Sequence, residues 1–178
     1  MMRSLETFTD IHTHDPEAGS DSVVSVRPGD PMRPDRFYSV GIHPWDTEEL
    51  VGESTIEQLL RDASAANVVA IGEAGLDALR GGPMERQEAL FCLHVALSEE
   101  LGKPLIIHAV RTFDRLIRLR RELGPSQRWI IHGFRGKPQL AADLLRHGFD
   151  LSFGHRYNPD SFTLTPPDRR WRETDAEI

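Results

Sequence analysis

Short apolar runs alternate with longer amphipathic segments along most of this 178-residue chain. The run Val68-Val69-Ala70-Ile71 is almost continuously apolar, as expected of a strand that is buried on both faces. Residues 84–101 instead carry leucines at spacings of three and four, which is the period of a helix. Strands alternating with helices predict βαβ units and a parallel sheet, and seven or so such strands can close into a barrel. We therefore predict an α/β fold, a distorted TIM-type barrel of about seven strands.

The predicted elements follow one another in a regular order. Strands are expected at residues 10–14, 22–26, 37–42, 68–71, 104–108, 129–132 and 150–154, with a short last strand at 170–175. Helices are expected at 54–66, 84–101, 112–123 and 138–147, the first with Ser54 as N-cap because Glu57 completes a capping box. Residues 155–168 contain three prolines and are predicted to be a loop. The length favours one domain that spans residues 1–178.

Residue types suited to metal binding end several of these strands. Asp10, His12 and His14 share one face of the first strand, because strand side chains alternate with a period of two. The later strands end in further ligand types, namely Glu73, His108, His132 and Asp175. Imidazole and carboxylate groups are common ligands of divalent metals, and the active site of such a barrel lies at the C-terminal ends of its strands. This pattern predicts a metal site.

Charge and composition say less about the function of the chain than these motifs do. The net charge is −7, yet residues 1–100 carry 7 basic and 19 acidic residues whereas residues 101–178 carry 14 and 9. A basic half can steer a polyanion to one face, and solvated helix faces would give the same counts, so a nucleic-acid substrate is neither implied nor excluded. No run of 18 apolar residues is present, so no membrane span is expected. The single Cys92 fits a reducing cytoplasm, and a cytoplasmic location is predicted.

Taken together, the motifs resemble those of the TatD family of metal-dependent hydrolases, in the wider amidohydrolase-like superfamily. The matching segments are Asp10-x-His12-x-His14, Gly41-Ile42-His43-Pro44, Gly72-Glu73-Ala74-Gly75-Leu76-Asp77, His108 with Arg111, His132-Gly133-Phe134-Arg135-Gly136 and Glu173-Thr174-Asp175. They occur in the family's order and cover nearly the whole chain.

The resemblance implies two divalent metal ions, of zinc, magnesium or manganese. His12, His14 and Asp175 would hold the first ion, His108 and His132 the second, and Glu73 would bridge both. It further implies a phosphodiester hydrolase, most simply a DNase-like nuclease, that uses a hydroxide held between the metals. Asp175 would accept the proton of the attacking water, which makes Asp175 and Glu73 the expected catalytic residues. The expected partner is nucleic acid or a small phosphodiester.

Other residues near the strand ends have two explanations each. We expect His43, Arg111 and Arg135 to bind a substrate phosphate, for which guanidinium groups are well suited, although a structural histidine and ordinary surface arginines would look the same. His155 follows the next predicted strand and could line the pocket that holds this phosphate. Asp10 is expected behind the two histidines of its strand, where it would orient an imidazole or a water molecule.

Three alternatives stay open at this point. The same metal site would serve hydrolysis of a carboxylic ester or amide, such as a D-aminoacyl-tRNA. A degenerate barrel could bind metal without activity. A barrel of the PHP or amidohydrolase type ranks below these, because a carboxylated lysine is the usual bridge in many amidohydrolases and neither Lys103 nor Lys137 ends a strand.

The end of the sequence departs from the family pattern. The resemblance implies helices after Glu173-Thr174-Asp175, whereas the sequence given continues for three residues only. We therefore expect a barrel that is short or incomplete at its C-terminus. Its open edge would invite covering by a second chain, as in a homodimer, and the position of Asp175 would decide whether the first metal site is complete.

Overall fold

Eight parallel strands form one sheet in chain order in the computed structural model, which describes residues 3–176. The strands are β1 (Asp10–Thr13), β2 (Ser22–Val26), β3 (Phe37–Val40), β4 (Val68–Asp77), β5 (Leu105–Val110), β6 (Trp129–Ile131), β7 (Phe149–Phe153) and β8 (Arg170–Arg172). The helices are α1 (Glu53–Ala63), α2 (Met84–Leu101), α3 (Phe113–Leu123), α4 (Pro138–Arg146) and α5 (Pro159–Leu164). The predicted TIM-type barrel is confirmed, with eight strands where about seven were expected.

Helix boundaries follow local capping chemistry. α2 ends as predicted at Gly102, whose φ of +62° is the left-handed conformation that glycine adopts without a steric penalty. The prediction that Ser54 caps α1 was wrong, because Gly52 is the N-cap and Ser54 lies inside the first turn.

Residues 155–168 are not the loop that their prolines suggested. The side chain of Asn158 accepts hydrogen bonds from the backbone N–H groups of Asp160 and Ser161 and so caps α5. Pro159 stands at the first helical position, where the missing N–H costs nothing and the fixed φ suits the helix. A short 3-10 turn over Pro167–Arg169 then leads into β8. Proline here marks the starts of helices.

β4 is the longest strand and extends well beyond the four apolar residues that predicted it. All ten of its residues are buried, and they include Glu73 and Asp77. Its register with β5 shifts between Ile71 and Ala74. At Gly75 a Cβ atom would overlap the carbonyl oxygen of His108, so the close approach of the two strands requires glycine there.

One level of the barrel is filled by a compact apolar cluster. Leu5 and Phe8, which precede β1, pack with residues that each occupy the second position of their strand: Ile11, Val23, Val69, Ile106, Ile130 and Trp171. A larger cluster joins the sheet to the surrounding helices. The starts of the strands therefore form the packed core, and their C-terminal ends, here called the barrel mouth, carry the polar residues.

The edge between β8 and β1 was expected to be open, but backbone hydrogen bonds connect the two sides at the barrel mouth. β8 and β1 share no ladder among the described strands, but the segment after β8 bonds to β1. The backbone N–H of Asp175 donates to the carbonyl oxygen of His12 over 3.0 Å, and that of His14 donates to Ala176 over 2.9 Å. This bridging removes one reason for a homodimer, which stays a prediction. Within residues 3–176, no helix has the length and apolar character needed to cross a membrane.

Candidate metal centre

The carboxylate of Glu73, in the second half of β4, lies at the centre of the barrel mouth. Its Oε1 atom lies 2.7 Å from His132 Nε2, 2.9 Å from His108 Nδ1 and 3.0 Å from His43 Nε2. Its Oε2 atom lies 3.3 Å from His12 Nε2 and 3.5 Å from His14 Nε2. Five imidazoles from four different segments therefore converge on one buried carboxylate, because His12 and His14 both belong to the β1 segment.

His12 gives the clearest sign that this cluster is built for a cation. The side chain is fully buried, and neither ring nitrogen has a hydrogen-bond partner among the described residues. Its Nε2 atom faces carboxylate oxygens of Glu73 and Asp175, at 3.3 and 3.5 Å. A buried polar nitrogen without a hydrogen bond is costly, and a metal ion between these three groups would satisfy it. The donor set thus fits a divalent metal.

The ligand atoms fall into overlapping groups. His12, His14 and Asp175 bring three ligand atoms within 4.8 Å of one another, which matches the set expected for the first metal. Glu73 forms one such group with His12 and His132 and another with His43 and His108. All six residues predicted as metal ligands are therefore brought together. His43, predicted as a substrate contact, touches the same carboxylate as His108 does.

His108 and His132, the histidines expected to hold the second metal, each have a second carboxylate next to the ring nitrogen that does not face Glu73. The Nε2 atom of His108 lies 2.9 Å from Asp77 Oδ2, on the side of the ring away from Glu73. The Nδ1 atom of His132 lies 3.4 Å from Glu173 Oε1. Such carboxylates fix the ring orientation and make the other nitrogen a better metal ligand.

Two neutral groups anchor these carboxylates. The indole of Trp45 donates a 2.8 Å hydrogen bond to the Oδ2 atom of Asp77. The hydroxyl of Ser152 donates a 2.5 Å hydrogen bond to the Oε2 atom of Glu173. Sequence reasoning gave none of these four residues a role. For Asp77 a signal was present, because Glu73, Gly75 and Asp77 fall on one face of a continuous strand.

The charges of the centre are strongly coupled. Burial raises the pKa of Glu73, but the neighbouring His132 and His12 outweigh it and hold the pKa well below its ordinary value. Burial and His132 lower the pKa of His12, but the carboxylates of Glu73 and Asp175 raise it to about 9. Burial likewise lowers the pKa of His132, and Glu73 and Glu173 raise it well above the ordinary value. Without metal, the buried carboxylates therefore hold protons on the histidines.

The predicted arginines lie beside this centre. Arg111 and Arg135 are exposed and line a cavity of about 440 Å³ whose inner wall includes His108, His132 and Asp175. Arg111 directly follows β5 and has a φ of +53°, a left-handed conformation that is uncommon outside glycine. The structure therefore places both guanidinium groups where an anion bound next to the histidines could reach them.

Asp10 was expected to orient an imidazole or a water molecule, and in the structure its carboxylate contacts no imidazole of the described residues. Its carboxylate accepts hydrogen bonds from the backbone N–H of His12 at 3.2 Å and from the N–H and hydroxyl of Thr174 at 3.0 and 2.6 Å. It contacts backbone and hydroxyl groups because the first and last segments of the barrel meet beside it. Asp10 thus ties the Asp175 segment to β1.

The fold and the centre agree with what sequence comparison finds. The family model described as "TatD related DNase" matches residues 26–176. The chain belongs to this family. Among curated relatives, the 3'-5' ssDNA/RNA exonuclease TatD of Enterobacter lignolyticus is 34% identical over 79% of this chain and 57% of its own length. A protein named metal-dependent hydrolase YjjV, from Escherichia coli, is 33% identical over 66% of this chain and 46% of its own length.

The TatD-family assignment extends to a solved structure. The crystal structure of the TatD homologue YjjV from Escherichia coli superposes with a TM-score of 0.77 and 25% identity, covering 96% of this chain and 79% of that one. The chain spans about half the length of the curated relatives it matches. The superposition with the YjjV structure covers nearly the whole barrel.

Proposed function

We propose that the chain is a phosphodiester hydrolase that depends on two divalent metal ions, and that its substrate is a nucleic-acid strand. The observation that carries this proposal is the convergence of five imidazoles and Asp175 around the buried carboxylate of Glu73. Packing of an apolar core does not account for so many ligand groups from several strands at one barrel mouth. The relatives named as ssDNA/RNA exonucleases support a nucleic-acid substrate.

His12, His14 and Asp175 would hold one ion, His108 and His132 the other, and Glu73 would contact both. When bound, two such ions lower the pKa of water and withdraw charge from a phosphate. The side chains of this chain supply the remaining functions. Zinc suits the imidazoles, and magnesium or manganese suits the carboxylates.

Asp175 is the proposed proton acceptor. Burial raises its pKa, but His12 and His132 lower it below the ordinary value, so the side chain is ionised at neutral pH. Its side chain is 30% exposed, whereas that of Glu73 is 4% exposed. Asp175 is more accessible than Glu73, so it can take a proton from the attacking water and pass it on to solvent.

Arg111 and Arg135 favour a phosphate over a neutral carboxylic ester. Both line the cavity next to His108 and His132. Guanidinium groups bind phosphate oxygens in a bidentate manner and would hold the negative charge that phosphodiesters carry and neutral esters lack. We propose that Arg111 and Arg135 are the substrate contacts nearest to the reacting phosphate. The predicted contact His43 is buried, with its Nε2 atom at Glu73 and its Nδ1 atom accepting a hydrogen bond from the backbone N–H of Trp45, so its proposed role is to position Glu73.

A substrate panel tests this function. The chain is loaded in turn with zinc, manganese or magnesium and assayed with bis-p-nitrophenyl phosphate, single-stranded DNA and p-nitrophenyl acetate. We expect metal-dependent hydrolysis of both phosphodiesters. Glu73→Gln and His108→Ala should each lower kcat by about 10²–10⁴-fold, because each removes a group of the centre. Glu57→Gln, an exposed glutamate of α1, is the matched control and should retain full activity.

Each other outcome contradicts the proposal in a distinct way. Hydrolysis of the acetate ester alone would identify a carboxylic ester hydrolase. Stoichiometric metal without turnover of any substrate would identify a metal-binding barrel without activity. Full activity in both Glu73→Gln and His108→Ala would show that the reaction takes place elsewhere.

A further inference from the structure

A second cavity continues from the first along the barrel mouth. The first, of about 440 Å³, lies beside His108 and Arg111. The second, of about 390 Å³, lies beside His155 and Arg156, after β7. Both are lined by Gly133, Arg135 and Asp175, so they adjoin at Arg135. We call the two cavities together the arginine groove.

The arginines of this groove have no ion-pair or hydrogen-bond partner among the described residues. Elsewhere many arginines pair with carboxylates, as Arg27 does with Asp46 and Arg118 with Glu88. Within residues 3–176, the side chains of Arg111, Arg135 and Arg156 form neither an ion pair nor a hydrogen bond, although all three are exposed. Three unpaired guanidinium groups along one groove of a chain with net charge −7 indicate a site for an anionic ligand.

The carboxylates of the groove do not cancel this charge. Glu173 is buried, with its two oxygens facing His132 and Ser152. Asp175 faces His12 and His14, at 3.5 and 3.7 Å. Both belong to the metal centre, and Asp175 is only partly exposed. The most exposed charged side chains of the second cavity are those of Arg135 and Arg156, and His155 is exposed beside them.

We propose that the second cavity, with Arg156 and His155, is a binding site for a second phosphate of the same nucleic-acid strand. This inference rests on the proposed function, because it takes the reacting phosphate to lie at the metal centre. Arg135, shared by both cavities, then lies between the two phosphates. The substrate is accordingly an oligonucleotide that spans the groove, and a compound with a single phosphodiester uses only half of the site.

Kinetics on short and long substrates test the second subsite. The substrates are bis-p-nitrophenyl phosphate, which has one phosphodiester, and an oligothymidylate of about ten nucleotides, a length within the usual range of single-strand sites. We expect Arg156→Gln to raise KM for the oligonucleotide about five- to tenfold, the usual effect of one exposed charge-assisted hydrogen bond. Its kcat and KM for bis-p-nitrophenyl phosphate should not change, and Arg156→Lys should restore part of the oligonucleotide affinity.

Salt dependence gives a second readout. Each lost phosphate contact should reduce the slope of log KM against log salt by roughly 0.7 for a single strand. Arg121→Gln is the matched control, because Arg121 is also exposed and unpaired among the described residues but lies near the end of α3, outside the groove. An equal effect of Arg156→Gln and Arg121→Gln, or an equal effect of Arg156→Gln on both substrates, would overturn the proposal.

Failure of the proposed function would look different. In that case the unmodified chain hydrolyses neither phosphate substrate with any metal. The groove is then judged by fluorescence anisotropy with the labelled oligothymidylate. Weaker binding by Arg156→Gln than by Arg121→Gln supports the second subsite, and equal binding overturns it.

Discussion

Asp10 accepts two hydrogen bonds from Thr174, one from the backbone N–H at 3.0 Å and one from the hydroxyl at 2.6 Å, across a separation of 164 residues. Next to this contact, the N–H of Asp175 donates to the carbonyl oxygen of His12, and Asp175 adopts a left-handed φ of +46°. The first and last motifs of the chain therefore hold each other in place. Asp175, the proposed metal ligand, owes its position to contacts of Thr174 and of its own backbone with the β1 segment.

Replacing Asp10 should loosen this connection. In Asp10→Ala the backbone N–H groups of His12 and Thr174 and the hydroxyl of Thr174 all lose the carboxylate that accepts their hydrogen bonds. We expect unfolding to become easier by about 1–3 kcal/mol and the bound metal to fall below that of the unmodified chain. Thermal unfolding and elemental analysis measure the two effects. Asp21→Ala, which removes an exposed acceptor of the nearby Thr9, is the control. Equal metal content and stability in both variants would refute the role of Asp10.

Metal binding should displace protons from the centre. In the metal-free chain His12 has a pKa of about 9 and His132 a pKa well above its ordinary value, because Glu73 lies beside both. Only the neutral imidazole binds metal, so loading at about pH 7.5 should release about two protons. Calorimetry in two buffers of different ionisation enthalpy counts them. His147→Gln, at the end of α4, should give the same count, and a binding heat independent of buffer would contradict the prediction.

The carboxylates behind the second pair of histidines should control metal affinity. Asp77→Asn and Glu173→Gln keep the shape of the side chain but remove the charge next to His108 and His132. We expect each to weaken metal binding about 10–100-fold, as measured by competition with a chromophoric chelator. Asp143→Asn, which alters a half-buried carboxylate of α4 that pairs with Arg146 outside the mouth, is the control. Unchanged affinity in both variants would mean that these carboxylates only fill space.

The sequence predicted which imidazole and carboxylate side chains meet at the mouth, because parallel strands bring their C-terminal ends together and residue types at those ends are visible without a structure. That they bind metal stays a prediction. The sequence did not predict what Asp10 does, since its partner Thr174 is distant in sequence. The roles of Asp77 and Glu173 depend on which ring nitrogen of His108 and His132 faces Glu73. These contacts join segments that are far apart in the sequence, so no local pattern shows them. Local patterns find such residue types, and only the assembled barrel shows their contacts.

Gly75 should be among the least replaceable positions of β4. A Cβ atom there would overlap the carbonyl oxygen of His108, which is backbone and cannot rotate away. We expect Gly75→Ala to destabilise the fold by about 3 kcal/mol or more, measured by urea unfolding. Gly102→Ala is the comparison, because its added Cβ meets no atom within 4 Å and only the positive φ opposes it, at about 1–2 kcal/mol. Equal losses in both variants would show that the contact with β5 is not limiting.

His94 should make the fold sensitive to acid independently of the metal centre. It is fully buried in α2, accepts a 2.9 Å hydrogen bond from the N–H of Ile42 and has its Nδ1 atom 2.7 Å from the carbonyl oxygen of Leu90. Burial lowers the pKa of His94 from its ordinary value of 6.5 to about 4. Between pH 6.5 and pH 4, His94 is therefore protonated in the unfolded chain and neutral in the folded chain. The free energy of unfolding should therefore fall as the pH drops from 6.5 towards 4.

The variant His94→Gln isolates this contribution, because glutamine can accept the bond from Ile42 and does not titrate. With a chelator present, the unmodified chain should be the more stable of the two at about pH 7. Its advantage should shrink by about 2 kcal/mol by about pH 5, which urea unfolding at both pH values measures. The histidines of the centre titrate equally in both proteins, so they cancel in the difference. An advantage that is the same at both pH values would contradict the assignment of a neutral His94 to the folded state.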